Sequence, residues 1–330
     1  MDEKGTFVTS SSLNSVPKKY RNLAKCSKAR KKVKKNLYKT GENFSLKNST
    51  SSSSTNRPSR KNKRIRPKDV SLSRVSREKN LRASLGNLNL RWDAAAEKYF
   101  GSALERTVLS AINASARVLA QGSFPSEVRN NEYNWQFVIM DNVPSNTDIS
   151  VNGANACHPG WMRFPANIFI AGTRIATNCG REKLSLNEAT NRLSETLAHE
   201  IGHAVEYRFL GGNYRNGARW HREGFATWFE SLAANYLTGR GNNKSAMRTR
   251  VQKAWTDSWD PNSFSGSWKD YARGYAIIAT IADKRTISRL KDVYKYASEN
   301  RVPILNAIEK EIKWDRRTLY KNVKHNFGIK

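Results

Sequence analysis

The chain has 330 residues, enough for one large domain or two small ones and enough to bury a real core. Lys and Arg number 58 against 28 Asp and Glu, and the excess is uneven: residues 1–90 hold 24 basic and 5 acidic groups (net +19), which leaves +11 of the total +30 for residues 91–330. Three cysteines exclude a disulfide scaffold, no run of ~18 apolar residues offers a membrane span, and the N-terminus MDEKGTFVTSSSLNSV lacks the apolar core of a standard secretory signal.

Residues 1–88 read as a disordered basic tail. KARKKVKKNLYK and RPSRKNKRIRPK flank the low-complexity NSTSSSSTN, and such a segment cannot bury enough apolar surface to offset its chain entropy. It is either a plain solvated tail or one that binds a polyanion, nucleic acid or an acidic membrane surface. The folded domain is expected over 89–330. DAAAEKYFGSALERTVLSAINASARVLAQG predicts one long helix, stopped by Gly122. Trp135 to Met140 predicts a strand, and 166–178 a strand or strand pair. SLNEATNRLSETLAHEIGHAVEYRFLGG predicts a helix ended by Gly211-Gly212, and ARWHREGFATWFESLAANYLTGRG predicts another. Three further helices follow in YARGYAIIATIAD, TISRLKDVYKYASEN and VPILNAIEKEI. Few strands followed by many helices imply an α+β fold. Cys26 lies in the tail, while Cys157 and Cys179 either pair or stay as two small buried thiols. The missing signal favours the cytoplasm or a non-classical export route, and a monomer is expected.

The chemistry centres on His199-Glu200-Ile201-Gly202-His203. On a helix, positions four apart share one face, so His199 and His203 can present two imidazole nitrogens to one ion. Glu200 then projects beside them, in reach of a water on that ion. The plain alternative is the polar face of an ordinary amphipathic helix. Two histidines do not complete a catalytic zinc site, which needs a third protein ligand and an open position for water. The metzincin spacing would require Gly at position 206 and His at position 209, where this chain has Glu206 and Phe209.

The segment WHREGFATWFE, residues 220–230, resembles the helix that carries the third ligand in gluzincin metallopeptidases, whose aminopeptidase branch shows W-x-x-E-G-x-A/T-x-x-x-E. Trp220, Glu223, Gly224, Ala226 and Glu230 match it. DYARGYAII resembles that branch's Y-x-x-G segment through Tyr271 and Gly274. The likeness covers roughly 130–290. It implies a zincin-like fold, with a small mixed sheet packed on an active-site helix and a mainly helical C-terminal part. It also implies zinc (Zn2+) held by His199, His203 and Glu223, Glu200 as general base, and Tyr271 stabilising the oxyanion, with Tyr275 as the fallback. An edge strand within 166–172 would take an extended peptide. Two positions depart from the pattern. NGANACHPG has no glutamate to hold a free substrate amine, which favours endopeptidase over exopeptidase action. Thr227 replaces the aspartate four residues past the ligand glutamate, so Glu230 is the candidate for orienting a ligand histidine, or else half of a structural pair.

Other residues have simpler readings. Tyr271 can be a core tyrosine, His221 is expected to face solvent or cap a loop, His158 to sit in a loop, and His325 has no role. The reading is therefore a zinc endopeptidase behind a basic tail. Its rivals are a protease directed to nucleic-acid-bound proteins by that tail, and a polyanion-binding protein with an inactive zincin-like domain.

Overall fold

The computed structural model describes residues 75–122, 124–129, 133–140, 159–163, 166–178, 181–210, 219–237 and 243–330. The chain divides into two units, Met1–Lys63 and Arg64–Lys330, and every described residue belongs to the second. The expectations for the basic runs, for Cys26, Cys157, His158 and Cys179, and for the Gly211-Gly212 stop lie outside the described residues.

The described part is α+β, with a five-stranded sheet and a mostly helical C-terminal half. Strands β1 (Val75–Ala83) and β2 (Gly86–Asp93) form an antiparallel hairpin. β2 runs parallel to β3 (Trp135–Met140), and β3 parallel to β5 (Asn167–Ala171). β4 (Gly160–Arg163) closes the sheet antiparallel to β5, giving the order β1-β2-β3-β5-β4.

Three expectations are corrected here. The hairpin straddles the boundary placed at residue 89, so strand structure begins at Val75. β2 alternates as a half-buried strand, with Leu88 and Leu90 inside, but the surrounding charges hide the pattern. The long helix after it is two: α1 (Ala94–Phe100) and α2 (Ala103–Gln121). Gly101 divides them at φ +49, a conformation open to glycine at little cost. The segment 166–178 is one strand, β5, followed by a short helix. That strand is interior, because the four residues of β4 pair with its outer side and form the edge themselves.

Helix α3 (Ser126–Arg129) is a single turn, and α4 (Gly172–Ala176) follows β5. Helix α5 (Leu186–Phe209) carries the two candidate histidines. It opens with a capping box, in which the Ser185 side chain accepts from the Glu188 N–H and Glu188 accepts from the Ser185 N–H. Its apolar face (Leu193, Leu197, Ile201, Val205) is buried at helical spacing. α5 packs on β4 on one side and on α2 and α6 (Arg219–Ala233) on others.

Beyond α6 come α7 (Lys244–Ala254), α8 (Trp268–Lys284), α9 (Ile287–Asn300), α10 (Ile304–Ile312) and α11 (Arg316–Phe327). α8 is the hub of this half, packing against α6, α7, α9 and α11. Its first turn is pinned by Asp270, whose carboxylate accepts from Ser265, from Ser267 and from the Trp259 indole. α6 and α8 meet backbone to backbone. A Cβ on Gly224 would lie 2.5 Å from the Gly274 carbonyl carbon, and one on Gly274 would lie 2.5 Å from the Trp220 oxygen. No helix among the described residues is long and apolar enough to cross a membrane.

Candidate metal centre and active site

Helix α5 sets His199 and His203 one turn apart, with ring centroids 4.9 Å from each other. Helix α6 brings Glu223 against both. Its Oε2 lies 3.4 Å from His199 Nε2 and 3.6 Å from His203 Nε2, and all three side chains are 14% exposed. One ligand atom from each falls within 4.8 Å of the others, the only such grouping of His, Cys, Asp and Glu among the described residues. These separations are long for a charge-assisted hydrogen bond, which prefers about 2.7–2.9 Å. They match the spacing of two ligand atoms around a tetrahedral ion with bonds near 2.0–2.2 Å, roughly 3.4 Å. The donor set therefore fits one metal ion.

Carboxylates back both histidines. Glu230, seven residues past Glu223, places Oε2 3.1 Å from His199 Nδ1. Glu206, one turn past His203 on α5, is fully buried, hydrogen-bonds His203, and lies 3.0 Å from His221 Nδ1. Thr227 turns away and donates to the Glu223 backbone carbonyl, so it does not serve a histidine. Glu200 is buried beneath the edge strand. A Cβ on Gly160 of β4 would meet Glu200 Oε1 at 3.1 Å and the Thr196 methyl at 2.9 Å, so the close approach depends on glycine. Glu200 Oε2 has no hydrogen-bond partner among the described residues.

Tyr271, in the first turn of α8, has its ring 6.2 Å from that of His199 and its hydroxyl bonded to Glu223. Burial first, and then the Glu223 charge, push its pKa well above the ordinary 10, so it stays a proton donor throughout the working range. Tyr275 is not at the site. It is buried, bonds Ser231 and packs on Phe327. His221 is also corrected, from a solvent-facing residue to a wholly buried one. Glu206 was legible in principle, since three residues past His203 shares its helix face. His221 was not, because its partner comes from another helix. His325 sits at the surface beside Lys284.

Without a metal ion the cluster holds alternating charges. Burial lowers the pKa of His203, but hydrogen bonds to Glu206 and Glu223 outweigh it and raise the group to about 9; His199, likewise opposed by burial, is held well above its ordinary value by Glu223 and Glu230. Burial raises Glu206, but bonds from His203 and His221 bring it down to about 2. Glu223 is held well below the carboxylate range in the same way. For Glu200 burial dominates and the pKa rises.

The sign of the pH dependence follows. The His203 contribution is complete below its ordinary 6.5 and is lost as pH rises through about 9. The Glu206 contribution is complete above its ordinary 4.5 and is lost as pH falls through about 2. Chelator-stripped protein should therefore be most heat-stable between these ordinary values and lose unfolding temperature on either side. The raised pKa values of both histidines mean that protons compete with a metal for the same ring nitrogens. Titration calorimetry in buffers of different ionisation heat should show proton release on metal binding, and affinity should climb with pH. Binding without proton release would contradict this charge state.

No protein-family model matches the chain, and no curated protein matches it by sequence. Among solved structures, a mutant of the M1 zinc metallopeptidase from Deinococcus radiodurans is similar at 10% identity, with a TM-score of 0.40, over 75% of this chain and 51% of that one. The chain thus spans about half the length of that protein.

Proposed function

We propose that this chain is a zinc-dependent peptidase of the gluzincin type, acting as an endopeptidase. The observation that carries the reading is the placement of Glu223 Oε2 at 3.4 and 3.6 Å from the two imidazole nitrogens, with the buried Glu200 beside them. The chemistry zinc supplies when held by His199, His203 and Glu223 is Lewis acidity, which gives a more acidic water and a polarised carbonyl.

The chain's own residues do the rest. Glu200 accepts the proton of the attacking water and returns it to the departing amine nitrogen. Its buried setting raises its pKa toward that of such a water, which suits a group that both takes and gives a proton. Tyr271 donates to the oxygen on which negative charge develops. Glu230 holds the His199 ring by its far nitrogen. The edge strand β4 passes over Glu200 with its outer side unpaired among the described residues, so an extended peptide added there would run along the site.

The test is metal content. The full-length chain should hold about one zinc, and His203→Ala much less, because losing one of three ligands removes most of the affinity. A folded parent that takes up no zinc even after reconstitution would overturn the proposal.

A further inference from the structure

Glu206 and His221 form a buried pair that peptide hydrolysis does not itself call for. Both are fully buried, one on α5 and the other on α6, and they meet at 3.0 Å. His221 is enclosed by Trp220 and Tyr294, and the Tyr294 hydroxyl donates to its backbone carbonyl. Its Nε2 has no hydrogen-bond partner among the described residues.

As packing, this arrangement is costly. A carboxylate and an imidazole have both left water, and one ring nitrogen has gained nothing in exchange. Two apolar side chains of similar volume would fill the space between α5 and α6 at less cost. What an apolar pair could not supply is an acceptor behind His203. Glu206 hydrogen-bonds His203 as well as His221, so the carboxylate stands between the two imidazoles.

Geometry assigns the direction of the Glu206–His221 bond. The unpartnered Nε2 of His221 is tolerable as a bare acceptor and much less so as an N–H donor. His221 therefore keeps its proton on Nδ1 and donates it to Glu206 Oε1. The carboxylate, fixed on that side, accepts from His203. Once a metal has displaced the second proton, an imidazole that donates through one nitrogen presents the lone pair of the other, and His203 Nε2 is the nitrogen that faces Glu223.

We infer that Glu206 and His221 are a positioning relay for the metal centre, in which His221 orients Glu206 and Glu206 fixes the tautomer and ring angle of His203. Neither residue touches substrate. The relay rests on the metal-site reading and adds to it a second anchoring histidine, two residues before the Glu223 ligand on the same helix. α6 thus supplies a ligand with one face and the orientation of a second ligand with another.

The experiment measures zinc affinity of the full-length chain by competition with a chromophoric chelator, and the visible spectrum of the cobalt-loaded protein. It compares Glu206→Gln, His221→Phe, His221→Gln and the double variant Glu206→Gln/His221→Phe. Thermal unfolding of chelator-stripped protein is recorded alongside. Glu206→Gln should weaken zinc about 10- to 100-fold, the usual effect of losing a ligand's hydrogen-bond partner. His221→Phe should weaken it in the same direction, with a changed cobalt spectrum. His221→Gln, which can still donate to Glu206, should recover part of the loss. The double variant should bind no more weakly than Glu206→Gln alone, because His221 acts through Glu206.

Unchanged zinc affinity in His221→Phe, with only the unfolding temperature lowered, would reduce the pair to packing and overturn the relay. Full additivity in the double variant would also overturn it. If His221→Phe fails to fold, His221→Gln and Glu206→Gln still decide the question. A parent that binds no zinc defeats the metal-site reading itself, a different outcome from a parent that binds it and variants that bind equally.

Discussion

Glu200→Gln should sharply reduce peptide hydrolysis while leaving the metal in place. The substitution keeps the volume and shape of a side chain that is 4% exposed and wedged under Gly160 of the edge strand. It removes only the ability to take a proton. A positioned general base contributes typically 10²- to 10⁴-fold, so turnover should fall by about that factor. Zinc content should match the parent, because Glu200 is not among the three grouped side chains. The variant should also be at least as heat-stable as the parent, since Glu200 Oε2 has no hydrogen-bond partner among the described residues and its charge is disfavoured by burial. Full activity in a zinc-loaded Glu200→Gln protein would remove Glu200 from the reaction.

Gly224→Ala should damage the fold and the site together. The added Cβ would stand 2.5 Å from the Gly274 carbonyl carbon and 2.6 Å from its oxygen. Both are backbone atoms in the middle of a helix, so no side chain can swing aside. The helices must separate, and overpacking of this kind typically costs about 1–3 kcal/mol. For a domain of this size each kcal/mol lowers the unfolding temperature by roughly 2–4 °C. Because Glu223 adjoins Gly224, and Tyr271 lies one turn before Gly274, separation also pulls the tyrosine from Glu223. Zinc affinity should fall less than activity. An alanine variant with the parent's unfolding temperature and turnover would show that the close contact is not needed.

Much of the site was legible because helical periodicity is a local property. His199, Glu200 and His203 lie on one turn of one helix. Glu223 lies in the segment that resembles the gluzincin third-ligand helix, and the structure brings it within 3.6 Å of both histidines. Glu230, singled out as a candidate for holding a ligand histidine, reaches His199. What escaped depends on pairing between distant segments. The hairpin 75–93 lies among charged residues, and Leu85, Leu88 and Leu90 are its buried apolar residues. β5 looked like an edge because the strand that covers it, β4, is four residues long. His221 looked like a surface residue because an ionisable side chain is seldom fully buried, and its partner Glu206 is fifteen positions away on another helix.

The glycine contact between α6 and α8 also works as a fulcrum. With no side chains between them, the two helices meet backbone to backbone where Gly224 faces Gly274, so a tilt of one against the other would pivot about that point. Tyr271 is three residues from the pivot, a lever arm of about 4.5 Å at 1.5 Å per residue, while Lys284 at the far end of α8 is about 15 Å away. A tilt of about 10° would swing the far end by more than 2 Å and move Tyr271 by less than 1 Å. Rearrangement of α7 or α11 around the distal part of α8 therefore reaches the tyrosine reduced about threefold by the ratio of the arms. A tilt of α8 would therefore displace its far end more than it displaces Tyr271 beside His199 and Glu223.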